Sequence, residues 1–143
     1  MVDGANPQTV VEAAFEDVWN GGDTDALEGT YAEDCVIHFP GREPLRGREA
    51  LSEYVTSLHT GFPDLRMTVD RRVSEDDVVV TQLRATGTHE GAHRGLEPTG
   101  TEIEISGVLI DRVEDEHIAE TWAHLDTLGL MRQLGLVPDH GPR

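Results

Sequence analysis

The apolar positions of this chain fall into two regimes. Up to Phe62 they recur at helical spacing, and after Asp64 they alternate. Val10, Val11, Ala14, Phe15, Val18 and Trp19 form one stripe, which predicts a helix lying on a single face. Asn6-Pro7 supplies its start, a capping side chain followed by proline at the first helical position. Asn20-Gly21-Gly22 supplies its stop, and Asp23 is placed to cap a second, short helix running through Tyr31. Residues 35–40 read as a strand, followed by a loop with Gly41, Pro44 and Gly47. Leu51, Tyr54, Val55, Leu58 and Phe62 mark a third helix, closed by Pro63.

Beyond Asp64 the period is two. Leu65, Met67, Val69 and Val73 alternate with Arg66, Thr68, Asp70 and Arg72. Glu75-Asp76-Asp77 predicts a turn, and residues 78–89, 101–113 and 117–126 predict three further strands. Asp115-Glu116 joins the last two tightly, whereas 90–100 is a longer loop with glycine and proline. Short links between successive strands imply an antiparallel meander, and a last helix covers 127–134. Helices first and strands later predict a single α+β domain, with helices packed over one face of an antiparallel sheet. A twisted sheet curls, so helices over its concave face leave a cavity open at one end.

Composition changes the picture in three ways. The formal net charge is −17, and all eleven basic residues are arginine. Without a basic patch to release counterions, nucleic acid and anionic membranes are excluded as expected partners. The 28 carboxylates suit a solvated acidic face or, more sharply, a salt-rich cytoplasm that screens self-repulsion; the halophilic reading is the one preferred. Cys35 is the sole cysteine, and its neighbours Val36, Ile37 and Phe39 predict a buried structural thiol. Met1-Val2-Asp3-Gly4 lacks the features of a secretory signal, and no apolar run approaches the ~20 residues that span a bilayer. A soluble, cytoplasmic protein is expected.

The richest chemistry lies near the C-terminus. Trp122, His124 and Asp126 share one face of a strand by alternation. Solvent accepts His124 and Asp126 but not Trp122, a plain core accepts only Trp122, and a lined pocket accepts all three. Asp126 suits a general base for proton abstraction beside a carbonyl, its pKa raised by apolar surroundings; it equally suits the cap of the helix starting at Thr127. His124 can donate to Asp126 or to an enolate oxygen, or be an ordinary core or surface histidine. His38 and His89 can line a cavity mouth or simply end their strands. Phe15, Trp19, Tyr54 and Phe62 read as core, with one or two bordering a ligand. A metal site is not expected: His89 and His93 are four apart, but Gly91 and Gly95 argue against the helix that spacing needs. His38 and His124 are distant in sequence and can still converge. No phosphate-binding glycine loop follows a strand, and no Ser/His/Asp order stands out.

Several short stretches occur in a telling order. Trp19-Asn20-Gly21-Gly22-Asp23 follows the first helix and Phe62-Pro63-Asp64-Leu65 the third. Gly87-Thr88-His89-Glu90-Gly91, Pro98-Thr99-Gly100, Glu120-Thr121-Trp122, Asp126 and Gln133-Leu134-Gly135 come after. With helix–helix–strand–helix and a four-strand meander, the chain resembles the cone-shaped fold of nuclear transport factor 2-like proteins. Within it, the chain resembles the SnoaL-like polyketide cyclases, or ester cyclases, over almost its whole length. That resemblance implies intramolecular aldol ring closure on a polyketide ester, without metal or organic cofactor. It implies an aspartate acting as general acid/base at a strand end in the cavity, a position matched by Asp126. On this reading Asp126 and His124 are catalytic, and Trp122, His38, His89, Phe15, Trp19 and Phe62 contact the small-molecule substrate. Gln133 belongs to the helix that closes the cone. Self-association through the outer sheet face, as a homodimer or homotetramer, is expected. The alternative is a non-catalytic small-molecule-binding or stress-related module of the same fold. A further one is another pocket enzyme, such as an isomerase or epoxide hydrolase; Arg84 and Arg112 fall on neighbouring strands without a clear pairing to Asp126.

Overall fold

The structure, a computed structural model, describes residues 6–92 and 96–137. His93, Gly95 and the N-terminal tetrapeptide lie outside the described residues. Helix α1, Pro7–Ala13, starts where the Asn6 carboxamide oxygen accepts the Thr9 N–H at 3.0 Å. It continues as a wider π-helical segment over Ala14–Asn20. The apolar stripe repeats every four residues, longer than the α period of about 3.6, and the wider winding keeps Phe15, Val18 and Trp19 buried. Asp23 caps a 3₁₀ turn, Thr24–Ala26, which leads into α2, Leu27–Thr30. Tyr31 does not end that helix: it is the first residue of β1, Tyr31–His38. The loop after β1 contains a two-residue edge strand, β2 (Leu45–Arg46), before α3, Gly47–Gly61.

The meander follows as expected: β3 Arg66–Glu75, β4 Val78–Thr88, β5 Glu102–Glu114, β6 His117–Leu125, then α4 Thr127–Gln133. One curved, unclosed sheet results, in the order β2-β1-β6-β5-β4-β3. β1 runs parallel to β6, and the other neighbours are antiparallel. Asp115-Glu116 turns the β5–β6 hairpin with both residues in the left-handed region, φ 53° and 68°, the geometry of a tight type I′ turn. The core lies between the helices and one sheet face, where Val11, Val18, Leu51 and Val55 meet Tyr31, Ile37, Val79, Leu83 and Ile118.

Two β-bulges decide which side chains reach that core. Asp70 is an extra residue in β3, because Val69 pairs with Leu83 but Arg71 with Gln82. Ala119 is an extra residue in β6, because Ile118 pairs with Val113 but Glu120 with Arg112. An inserted residue flips every side chain beyond it to the other face. Arg72 therefore turns inward while Val73 turns out, 55% exposed, against the simple alternation of the sequence. In β6 the same slip sends Thr121 and Ala123 inward and Trp122 and His124 outward.

The helices are held over the sheet by side chains that imitate a strand. Asn20 donates to the Met67 carbonyl at 3.1 Å and accepts its N–H at 2.6 Å. Gln133 does the same for Glu104, at 2.9 and 2.8 Å, beyond the point where β6 has ended. Asp64 accepts the Thr88 N–H and hydroxyl at 2.7 and 2.8 Å. Each satisfies backbone groups that the sheet leaves open.

Candidate active site

The space enclosed by the fold is narrow inside and wide at its mouth. Beneath the helices lie two adjoining apolar cavities of about 60 Å³ and 20 Å³, both bordered by Tyr54, Met67 and Leu125. Phe62 lines the larger, Trp19 and Thr121 the smaller. At the strand ends a groove of about 440 Å³ runs between Phe39–Arg42 and Asp126–Leu128. Groove and smaller cavity share Phe39, Ala123 and Leu125. A small-molecule ligand commonly occupies roughly 300–1,000 Å³, so the groove has room for one and the interior for a substituent.

Asp126 stands on the wall of this groove, exposed to solvent. It also caps α4, its Oδ1 accepting the Gly129 N–H at 2.9 Å. A Cβ at position 129 would overlap that carboxylate, so glycine lets the cap close. Both expected roles of Asp126, wall of a pocket and helix cap, are thus open to it. Across the groove is Arg42, its guanidinium 5.1 Å from the Phe39 ring centre.

The other expected site residues scatter. His124 is exposed on the outer sheet face, in a recess of about 370 Å³ with Gln82, Ser106, Val108 and Asp126. Trp122 is also on the outer face, stacked on His38 with ring centres 5.4 Å apart. The expected grouping of Trp122, His124 and Asp126 under the helices is therefore corrected: the Ala119 bulge turns the first two away. His38 binds Glu120 at 2.6 Å, and Arg112 donates to the same carboxylate at 3.3 Å. His38, foremost, and Arg112 hold the Glu120 carboxyl below its ordinary range. His89 is fully buried rather than at a mouth, its ring 5.4 Å from Phe62. Its Nδ1 lies 3.3 Å from the Thr99 N–H, and its buried Nε2 has no hydrogen-bond partner among the described residues. Phe15 is core, with Arg72 over its ring at 4.8 Å. Trp19 and Phe62 do border the cavities. Among the described residues no three His, Cys, Asp or Glu side chains are placed to hold a metal ion.

One cluster was not anticipated. Asp111 is buried on the inner face of β5, and Thr121 Oγ1 donates to its Oδ1 at 2.6 Å. Burial pushes the Asp111 carboxyl up to about 6, against the Thr121 hydrogen bond and the Arg72 charge. Arg72 Nε donates to Thr81 at 3.1 Å. Trp19 Nε1 donates to the Tyr31 hydroxyl at 3.1 Å, and burial, reinforced by Asp111, holds that phenol well above its usual pKa. A signal existed: Leu109, Asp111 and Val113 alternate, so Asp111 interrupts an apolar face.

A sequence model of the SnoaL-like polyketide cyclases matches residues 9–134. The chain belongs to the SnoaL-like polyketide cyclase family. Solved structures place its fold among the same proteins. A SnoaL-like polyketide cyclase candidate from Jannaschia sp. CCS1 is 24% identical, with TM-score 0.85 over 96% of this chain and 100% of that one. IdmH, a candidate polyketide cyclase from Streptomyces antibioticus, is 32% identical, with TM-score 0.80 over 92% and 99%. TsrD from Streptomyces laurentii is 28% identical, with TM-score 0.82 over 96% and 100%. No curated protein matches the chain. Among the described residues of this SnoaL-like cone, no helix is long and apolar enough to cross a membrane.

Proposed function

We propose that this SnoaL-like protein carries out general acid/base chemistry on a carbonyl-containing small molecule, closing a ring by an aldol-type step without metal or organic cofactor. The observation that carries this reading is the ligand-sized groove with a carboxylate, Asp126, on its wall. Asp126 takes a proton alpha to a carbonyl; the C–H electron pair passes into an enolate, whose carbon attacks a second carbonyl. The proton on Asp126 then returns to the alkoxide so formed. Arg42, which shares the groove, supplies positive charge for the enolate oxygen more directly than His124, which faces the outer recess.

Asp126→Asn separates the two roles of this residue. Asparagine is as good a helix cap as aspartate but takes no proton. Acceleration of hydrogen–deuterium exchange alpha to the carbonyl of a β-keto ester, above the rate in buffer, is expected in the wild type and lost in Asp126→Asn, with the melting temperature unchanged. Full exchange activity in that variant overturns the reading.

The expected self-association belongs here as well. Val73, Val80, Ile110, Trp122 and His38 stand opposite one another in successive strands and form an apolar row across the open outer face. We propose that a second copy covers it in a homodimer. Trp122→Glu should convert the dimer to monomer in light scattering, and a wild-type monomer would sink the idea.

A further inference from the structure

Leu125, the last residue of β6, stands where the enclosed spaces meet. It borders the groove, the larger cavity and the smaller one. Alternation puts it on the inner face with Thr121 and Ala123. The groove opens on the β1 side of β6, along Phe39–Arg42. The larger cavity lies on the other side, against Ile103 and Ile105 of β5, Ala85 of β4 and Met67 of β3. The Leu125 side chain therefore stands between the two. Thr127 borders both as well, but it is exposed at the start of α4.

The direction in which Leu125 leans comes from its neighbour. Leu125 pairs with Gly107 across β5 and β6. A Cβ on residue 107 would lie 2.4 Å from Leu125 Cδ2, whereas carbon atoms pack at about 3.5–4.0 Å. The leucine thus fills the place where β5 carries no side chain, and it leans toward the larger cavity. A glycine inside a strand packs nothing of its own and often marks a close approach. Here it is the seat of the Leu125 side chain.

We propose that Leu125, seated over Gly107, is a specificity-determining residue: it walls the larger cavity off from a substrate lying in the groove. The substrate class is a carbonyl compound whose apolar chain is short enough to end at Leu125. This rests on the reading that the groove takes a small carbonyl compound, and it adds where the chain must stop. Leu125 directly precedes Asp126, so wall and carboxylate are carried on Cα atoms about 3.8 Å apart. The chain is therefore measured from the reacting carbon. Behind the wall lie about 60 Å³. A dry apolar cavity of about 150 Å³ holds benzene, so this one has room for roughly two or three carbons once the wall is removed.

A ladder of linear methyl ketones, from 2-butanone to 2-octanone, tests this. Binding to the full chain is followed by NMR of its alanine methyl groups, because Ala123 borders the groove and Ala85 the larger cavity. In the wild type each ketone should shift Ala123, affinity should stop rising once the chain reaches Leu125, and Ala85 should stay unmoved. In Leu125→Ala affinity should go on rising, about fourfold per methylene over the next two or three carbons, and Ala85 should shift. Leu125→Val should gain less in the same direction, and it decides the matter if Leu125→Ala does not fold. Ile103→Val enlarges the same cavity behind an intact wall and should keep the wild-type profile. The proposal is overturned if both Leu125 variants level off where the wild type does, or if long ketones already move Ala85 in the wild type. Failure of the underlying reading looks different: no ketone then moves Ala123 in any variant, and the wall falls with the groove. Where Ala123 responds but the profile does not change, the wall alone falls, and the exchange assay on Asp126→Asn still judges the chemistry.

Discussion

Two neighbouring carboxylates on β5 and β6 live in opposite worlds. Asp111 pairs with Thr121 and faces the helices; one step along, Arg112 pairs with Glu120 and faces outward. Burial raises the Asp111 carboxyl to about 6, whereas the His38 and Arg112 partners lower Glu120. Both accept a hydrogen bond of 2.6 Å. The difference therefore lies in desolvation and in the charge of the donor, since a threonine hydroxyl cannot balance a buried anion as His38 and Arg112 balance a half-exposed one. Charge on the inner face works against the fold, and charge on the outer face is neutralised by its neighbours.

The faces should separate most clearly in stability. Leu83 is 0% exposed on the inner face, and Leu83→Ala should cost about 3–4 kcal/mol in urea unfolding. Val73→Ala, on the outer face, should cost less than about 0.5 kcal/mol in the monomer. Equal losses would mean that the outer face is as firmly packed as the inner.

The pH dependence sharpens the same contrast. Asp111 has a raised folded pKa, so its contribution is fully present below its unfolded value and is lost as pH rises through about 6. Asp111→Asn should therefore gain on the wild type by up to about 3 kcal/mol between about pH 4 and pH 7.5. Glu120 has a lowered folded pKa, so its contribution is present above its unfolded value and is lost as pH falls through the folded one. Glu120→Gln should be less stable than the wild type at neutral pH and converge with it in acid. The change should be smaller than for Asp111, because the pair is partly exposed. Unfolding curves at a series of pH values check both signs, and parallel profiles for the two variants would break the comparison.

An intermediate effect is expected at the hairpin that joins the two strands. Glu116 has φ 68°, a conformation that disfavours side chains. Glu116→Gly should raise stability by about 0.5–1 kcal/mol, measured as a higher urea midpoint with an unchanged slope.

Much of the fold was legible in local chemistry. The Asn6 and Asp23 caps, the stops at Asn20-Gly21-Gly22 and Pro63, and the change of period after Asp64 located the long helices and every strand of the meander. The family motifs were also legible, though much of their meaning is structural: Asn20, Asp64, Thr88, Thr99 and Gln133 make side-chain hydrogen bonds that hold loops and helices to the sheet. Of the candidate site, the strand-end position and capping geometry of Asp126 could be read, as could the cavity-facing places of Trp19 and Phe62.

The sequence by itself determined which segments are helices and strands, because capping, backbone preference and hydrophobic period act between near neighbours. Only the tertiary structure decided which way the strands face. A bulge is a mismatch between two paired strands, and neither strand alone records it. One inserted residue, Ala119, moved Trp122 and His124 to the outer face and gave the interior Thr121; another, Asp70, brought Arg72 inward to Asp111. The environment of Asp111 follows from that pairing, because desolvation depends on what the whole fold lays over a side chain.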